Sequence, residues 1–164
     1  MKFKWDQATA PLDGELLYRQ GEYSFDFKVA SSALLAERVG SAGNTSLSFT
    51  TLQTEVSIER GELLYPWGLF PNTRWQAGRL ALPTLQPGRV RVVIEGEALQ
   101  PGVSVSFSDS ASWPVVWDQA TGWVCFGNPS SSRDVAAVEY AKNSAVVIAE
   151  GQLISIWLRP KMVS

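Results

Sequence analysis

A chain of 164 residues with 45% hydrophobic side chains and a net charge of −2 has the apolar content of one folded domain, which excludes a disordered chain. With no histidine and a single cysteine, Cys125, it is excluded from Ser-His-Asp and Cys-His catalysis, from an internal disulfide and from thiolate zinc sites. The 14 basic residues are scattered, as at Arg74, Arg79, Arg89 and Arg91, so nucleic acid is not an expected partner.

In chain order, Met1 to Asp6 contains no apolar signal-peptide core, and no run approaches the roughly eighteen apolar residues of a membrane span. A cytoplasmic location without membrane contact is the resulting expectation. Tyr23, Phe25, Phe27 and Val29 alternate with Glu22, Ser24, Asp26 and Lys28, which predicts a strand with one apolar face, because successive strand side chains point oppositely. Ser32–Val39 is the one segment expected to be helical. From Leu47 to Ile58 the alternation slips: Leu47 and Phe49 are odd, Leu52, Val56 and Ile58 even. The slip predicts a bulge or strand break near Thr50–Thr51.

Val90, Val92 and Ile94 predict a further strand, as do Val103, Val105 and Phe107. Cys125, within Trp123-Val124-Cys125-Phe126, is expected to be a buried small hydrophobe rather than a reactive thiol. Ala145 to Ala149 is continuously apolar, as expected of a strand buried on both faces, and a hairpin around Glu150–Gly151 is expected to lead into Leu153 to Leu158. Turn signals fall at Gly43-Asn44, Pro71-Asn72, Pro87-Gly88, Pro101-Gly102 and Gly127-Asn128-Pro129. The fold class is therefore expected to be all-β, an antiparallel β-sandwich with at most one short helix, and residues 1–164 are expected to form a single domain. Sandwiches leave open strand edges, so a two-fold homodimer is also expected.

Two pentapeptides recur, Trp-Asp-Gln-Ala-Thr at 5–9 and 117–121 and Gly-Glu-Leu-Leu-Tyr at 14–18 and 61–65; their unequal offsets do not define a tandem repeat. Seven tryptophans are many for this length. Trp67, Trp75, Trp113, Trp117 and Trp123 are interleaved with Asn72, Arg74, Asp118 and Asn128. That mixture suits a saccharide, whose C–H face stacks on an indole while amide, carboxylate and guanidinium groups bond its hydroxyls. The plainer reading is that the indoles fill the core. The ligand-binding candidates are Trp67, Asn72, Arg74, Trp117, Asp118 and Asn128; no catalytic residue, metal or cofactor is expected.

The run Trp113-Pro-Val-Val-Trp-Asp-Gln-Ala-Thr-Gly-Trp-Val-Cys-Phe-Gly-Asn-Pro-Ser-Ser-Ser-Arg-Asp-Val resembles the late region of the aldose 1-epimerase, or galactose mutarotase-like, family. Leu64-Tyr65-Pro66-Trp67-Gly68-Leu69-Phe70-Pro71 is similar to that family's apolar-Gly-x-His-Pro step, and the final Val-Ile-Ala-Glu-Gly-Gln-Leu-Ile-Ser-Ile-Trp-Leu to its closing strand. The resemblance covers about half the chain and implies a supersandwich or jelly-roll-like fold and a sugar ligand. The family uses a histidine acid and a glutamate base, and here Phe70 and Asn128 stand at those positions. The function expected is thus a carbohydrate-binding β-sandwich without catalysis. The alternatives are a structural or protein-interaction module, and an epimerase with displaced acid and base such as Asp118 and Tyr65.

Overall fold

In the computed structural model, which describes residues 1–130 and 134–164, the alternating segments pair into two sheets with an apolar core between them. Ser131, Ser132 and Arg133, part of the run compared with the epimerases, lie outside the described residues. The elements are β1 (Lys2–Gln7), β2 (Gly14–Arg19), β3 (Ser24–Val29), α1 (Ser32–Val39), β4 (Asn44–Phe49), β5 (Leu52–Ser57), β6 (Leu63–Leu69) and β7 (Gln76–Ala77). They continue as β8 (Gln86–Val93), β9 (Val105–Ser106), β10 (Val115–Asp118), β11 (Trp123–Gly127), β12 (Val135–Ala141), β13 (Ser144–Ala149), β14 (Gln152–Leu158) and β15 (Lys161–Val163). Two 3-10 turns, Asn72–Arg74 and Ser108–Ser112, complete the described helical structure.

One sheet has the order β1-β8-β12-β13-β14-β11-β10-β7, the other β15-β2-β3-β6-β5-β4-β9. Most neighbours are antiparallel; β7–β10, β8–β12, β4–β9 and β2–β15 are parallel, so both sheets are mixed. This is the all-β sandwich that the alternation predicts. No helix of the described residues is long and apolar enough to cross a membrane.

The slip at Thr50–Thr51 is a hairpin. Phe49 pairs with Leu52, so a two-residue loop brings odd positions of β4 and even positions of β5 to the same face, and Leu47, Phe49, Leu52 and Val56 are all buried. The β13–β14 hairpin turns at Glu150–Gly151, where both residues have positive φ, the geometry that matches strand twist. Helix α1 has the bounds its sequence predicts, with Ser31 as N-cap accepting from the Leu34 N–H at 3.1 Å.

Two expectations are corrected. Tyr23 does not extend β3: its φ of 53° places it in the preceding turn and its ring is exposed. Pro87-Gly88 is not a turn but the start of β8, where Gly88 pairs with Gln7 and a Cβ would come within 2.8 Å of the Asp6 carbonyl. Proline is tolerated there because it opens the strand.

The core has two parts set by strand parity. Phe126, Val138, Val146, Ile148, Ile156 and Leu158 face the other sheet, where they meet Leu16, Tyr18, Phe25, Phe49 and Leu63. Their odd-numbered neighbours Trp123, Cys125, Ala137, Ala145, Val147 and Trp157 form a second buried cluster on the opposite face. Leu80 and Leu85, from the segment between β7 and β8, pack on that cluster, which explains why β13 is buried on both faces.

Candidate functional site

The β4–β5 turn divides the residues singled out in the sequence between two concavities. Thr50 and Thr51 line both. Thr50 has a φ of 58°, an unusual conformation for a β-branched residue.

The first concavity, about 620 Å³, includes Arg19, Ser24, Asp26, Gln53, Trp67 and Leu69, which lie on or beside β2, β3, β5 and β6. Trp67 is 37% exposed, yet its orientation is fixed: the indole N–H donates to Glu55 Oε2 at 2.8 Å. Glu55 is buried and also accepts from the Asn44 side-chain amide, so the carboxylate is held from two sides. Arg19 pairs with Asp26 at 2.9 Å, both half-exposed. Gln53 Oε1 accepts from the Ser46 hydroxyl at 2.7 Å, which leaves the Gln53 amide NH₂ without a partner among the described residues. Gly68, at a φ of 106°, permits the close approach of β6 to the turn: a Cβ there would stand 3.1 Å from the Thr51 carbonyl.

The second concavity, about 550 Å³, is bounded by Phe70, Trp75, Trp113, Pro114 and Phe126, with Thr73, Arg74, Gln76 and Ser110 as its polar lining. Phe70 and Phe126 meet at 4.9 Å between ring centroids, and Trp113 meets Phe126 edge-on at 5.3 Å. Trp75 packs against Tyr18 at 4.8 Å and Trp117 at 5.8 Å. The Phe70–Pro71–Asn72 step is pinned by Tyr18, whose hydroxyl donates to the Phe70 carbonyl at 2.8 Å and accepts from the Asn72 N–H at 3.0 Å. Burial raises the Tyr18 phenol, offset in part by that backbone bond, so it stays a donor.

The six candidate residues therefore do not form one cluster. Trp67 lies in the first concavity and Arg74 in the second. Trp117 backs the second through Trp75, and Asn72 sits in the 3-10 turn beside it. Asp118 is buried at the end of β10, its oxygens accepting from the backbone N–H groups of Leu80, Ala120 and Thr121. These bonds, that from Leu80 foremost, hold its carboxyl below the usual range. Asn128 is exposed beyond β11, its side-chain oxygen accepting from the Ser130 N–H at 2.9 Å.

Arg19, Asp26 and Gln53 were not singled out in the sequence. Their only signal was the polar half of an alternating strand, which every solvated strand face shares. Among the described residues no three Asp, Glu or Cys side chains form a group that could hold a metal ion. No protein-family model matches the chain, and no curated protein matches it.

Tyr65 and Asp118, the alternative acid–base pair, are on different sheets. Tyr65 is raised chiefly by burial and further by the nearby Glu55 and Asp26 carboxylates, while Asp118 is already saturated with donors. Glu15 and Glu62, from the repeated pentapeptide, differ as well: Glu15 is exposed near Lys161, and Glu62 is buried against Arg38.

Proposed function

We propose that the protein binds saccharides without transforming them, on the outer face of the seven-stranded sheet, with Trp67 as the stacking platform. The observation that carries this reading is the fixed, accessible indole of Trp67 flanked by the Arg19–Asp26 pair and Gln53. A platform already locked by Glu55 loses little side-chain entropy when a sugar ring settles on it. Around it stand a carboxylate, a guanidinium and an amide, the groups that bond vicinal hydroxyls.

Kinship to the aldose 1-epimerases is part of the same proposal, as a relative that keeps sugar recognition and has lost the acid and base. Phe70 is buried among aromatic rings and has no proton to transfer, and the Asn128 amide is no base. Each well-placed acid or base contributes about 10²–10⁴-fold, and both contributions vanish together here.

The test is calorimetric titration with a panel of neutral mono- and oligosaccharides. At least one should bind, and Trp67→Ala should weaken it by about tenfold or more, since a stacked aromatic contributes its buried area plus about 0.5–1.5 kcal/mol. Binding of no saccharide, or binding indifferent to Trp67→Ala, would reject the proposal in favour of an interaction module.

A further inference from the structure

Glu55 carries an inference about the Trp67 site that rests on the saccharide reading and narrows its ligand. The carboxylate is buried, and among the described residues no Lys or Arg pairs with it. Its side-chain donors are the Trp67 indole N–H at 2.8 Å and the Asn44 amide, both neutral. A buried charge is ordinarily matched by an opposite one, so a carboxylate held by neutral donors alone leaves its field to act on what lies beside them. Here that is the indole itself. Donation to a carboxylate puts a negative charge at the ring edge and adds to the negative potential of the ring faces, the feature that attracts cations. The accessible part of that ring lines the first concavity. The other charges there act in the same sense. Asp26 is paired with Arg19, and Glu22, exposed in the turn before β3, has no ion-pair partner among the described residues. Glu22, Asp26 and Glu55 against the single Arg19 leave negative charge in excess around the platform.

We propose that the Trp67 site selects amino sugars, saccharides bearing a free ammonium group, over their neutral parents and over uronic acids. The C–H face of the sugar stacks on the indole, while its ammonium is drawn by the negative ring face and by the carboxylates of Glu22 and Asp26. A uronic acid brings a carboxylate into the same field and is repelled. Arg19 does not offset this, because Asp26 already engages it.

The test follows the Trp67 indole resonance of the full chain at about pH 6, where an amine of this kind is an ammonium. Glucosamine, galactosamine and mannosamine are each titrated against the neutral parent sugar, with glucuronate and choline alongside. At least one amino sugar should bind about fivefold or more tighter than its parent, the factor that cation–π attraction at an accessible ring contributes. Glucuronate should bind more weakly than glucose. Glu55→Gln, which keeps an acceptor for the indole N–H, and Glu22→Gln, an exposed change, should each lower the amino-to-parent ratio. Parents that bind as tightly as all three amino sugars, glucuronate that binds as tightly as glucose, or a ratio indifferent to both variants would overturn this inference and leave the saccharide reading standing. A Trp67 resonance that no sugar moves, whether or not choline moves it, would remove the saccharide reading and this inference with it.

Discussion

Cys125 sits at the middle of β11 with no accessible surface, in the outer cluster with Trp123 and with Trp157, its partner on β14. Burial pushes its thiol from an ordinary 9.0 up to about 12, the Ser155 hydroxyl offsetting a little. The thiol is therefore neutral when folded, while the unfolded chain ionises it above 9.0. A raised folded value means the stabilisation is complete below 9.0 and is lost as pH climbs from there toward about 12. Urea unfolding between these limits should show an alkaline loss that is smaller in Cys125→Ala by an amount on the order of 2–4 kcal/mol, the raised tyrosines Tyr18, Tyr65 and Tyr140 contributing equally to both proteins. An identical alkaline slope in both proteins would contradict the assignment. That Cys125 is buried was legible from its apolar neighbours. The fates of Asp6 and Asp118, from the two copies of one pentapeptide, were not: one pairs with Arg91 in solvent, the other caps a turn. Identical sequence gives different chemistry because the partners arrive from distant elements.

The β4–β5 hairpin is an element whose sequence and geometry disagree. A two-residue loop with positive φ at its first position favours glycine, and Thr50 stands there instead at 58°. Thr50→Gly should stabilise the protein by about 1 kcal/mol, the relief of strain exceeding the added chain entropy. The check is a raised urea midpoint with an unchanged slope; a lower midpoint would refute it. Helix α1 is anchored differently, by a buried pair between Arg38 and Glu62, with Arg89 at 3.9 Å. Glu62→Ala should cost about 3–5 kcal/mol by leaving Arg38 buried and unpaired, whereas replacing both residues by apolar ones of similar volume should cost far less. Equal costs for the single and double variants would show the pair to be immaterial. The helix bounds, the β4–β5 break and the β13–β14 turn could be read from sequence because local periodicity and turn chemistry decide them. The Arg38–Glu62 clamp could not, since nothing local distinguishes a clamped charge from a solvated one.

At the scale of the whole molecule, the two sheets leave one concavity on an outer face and another walled by the loops that leave β6 and precede β10, with Thr50–Thr51 between them. The tryptophan-rich stretch was legible as a group but not as an arrangement. Strand parity sends Trp123 to the outer cluster, while Trp113 packs against the inter-sheet core and Trp67 faces solvent. The residues around Trp67 come from strands far apart in sequence, so only the sheet order β2-β3-β6-β5 assembles them. On the proposed reading, this assembly recognises a saccharide and leaves its chemistry unchanged. The most direct measurement is a saccharide titration followed by ¹H–¹⁵N resonances of the seven indole groups, with the Trp67 signal assigned by its loss in Trp67→Phe. The Trp67 indole resonance should move saturably with a bound saccharide while anomers in the same sample equilibrate at the buffer rate. A Trp67 signal that stays fixed throughout the panel, or anomer exchange well above buffer, would contradict it.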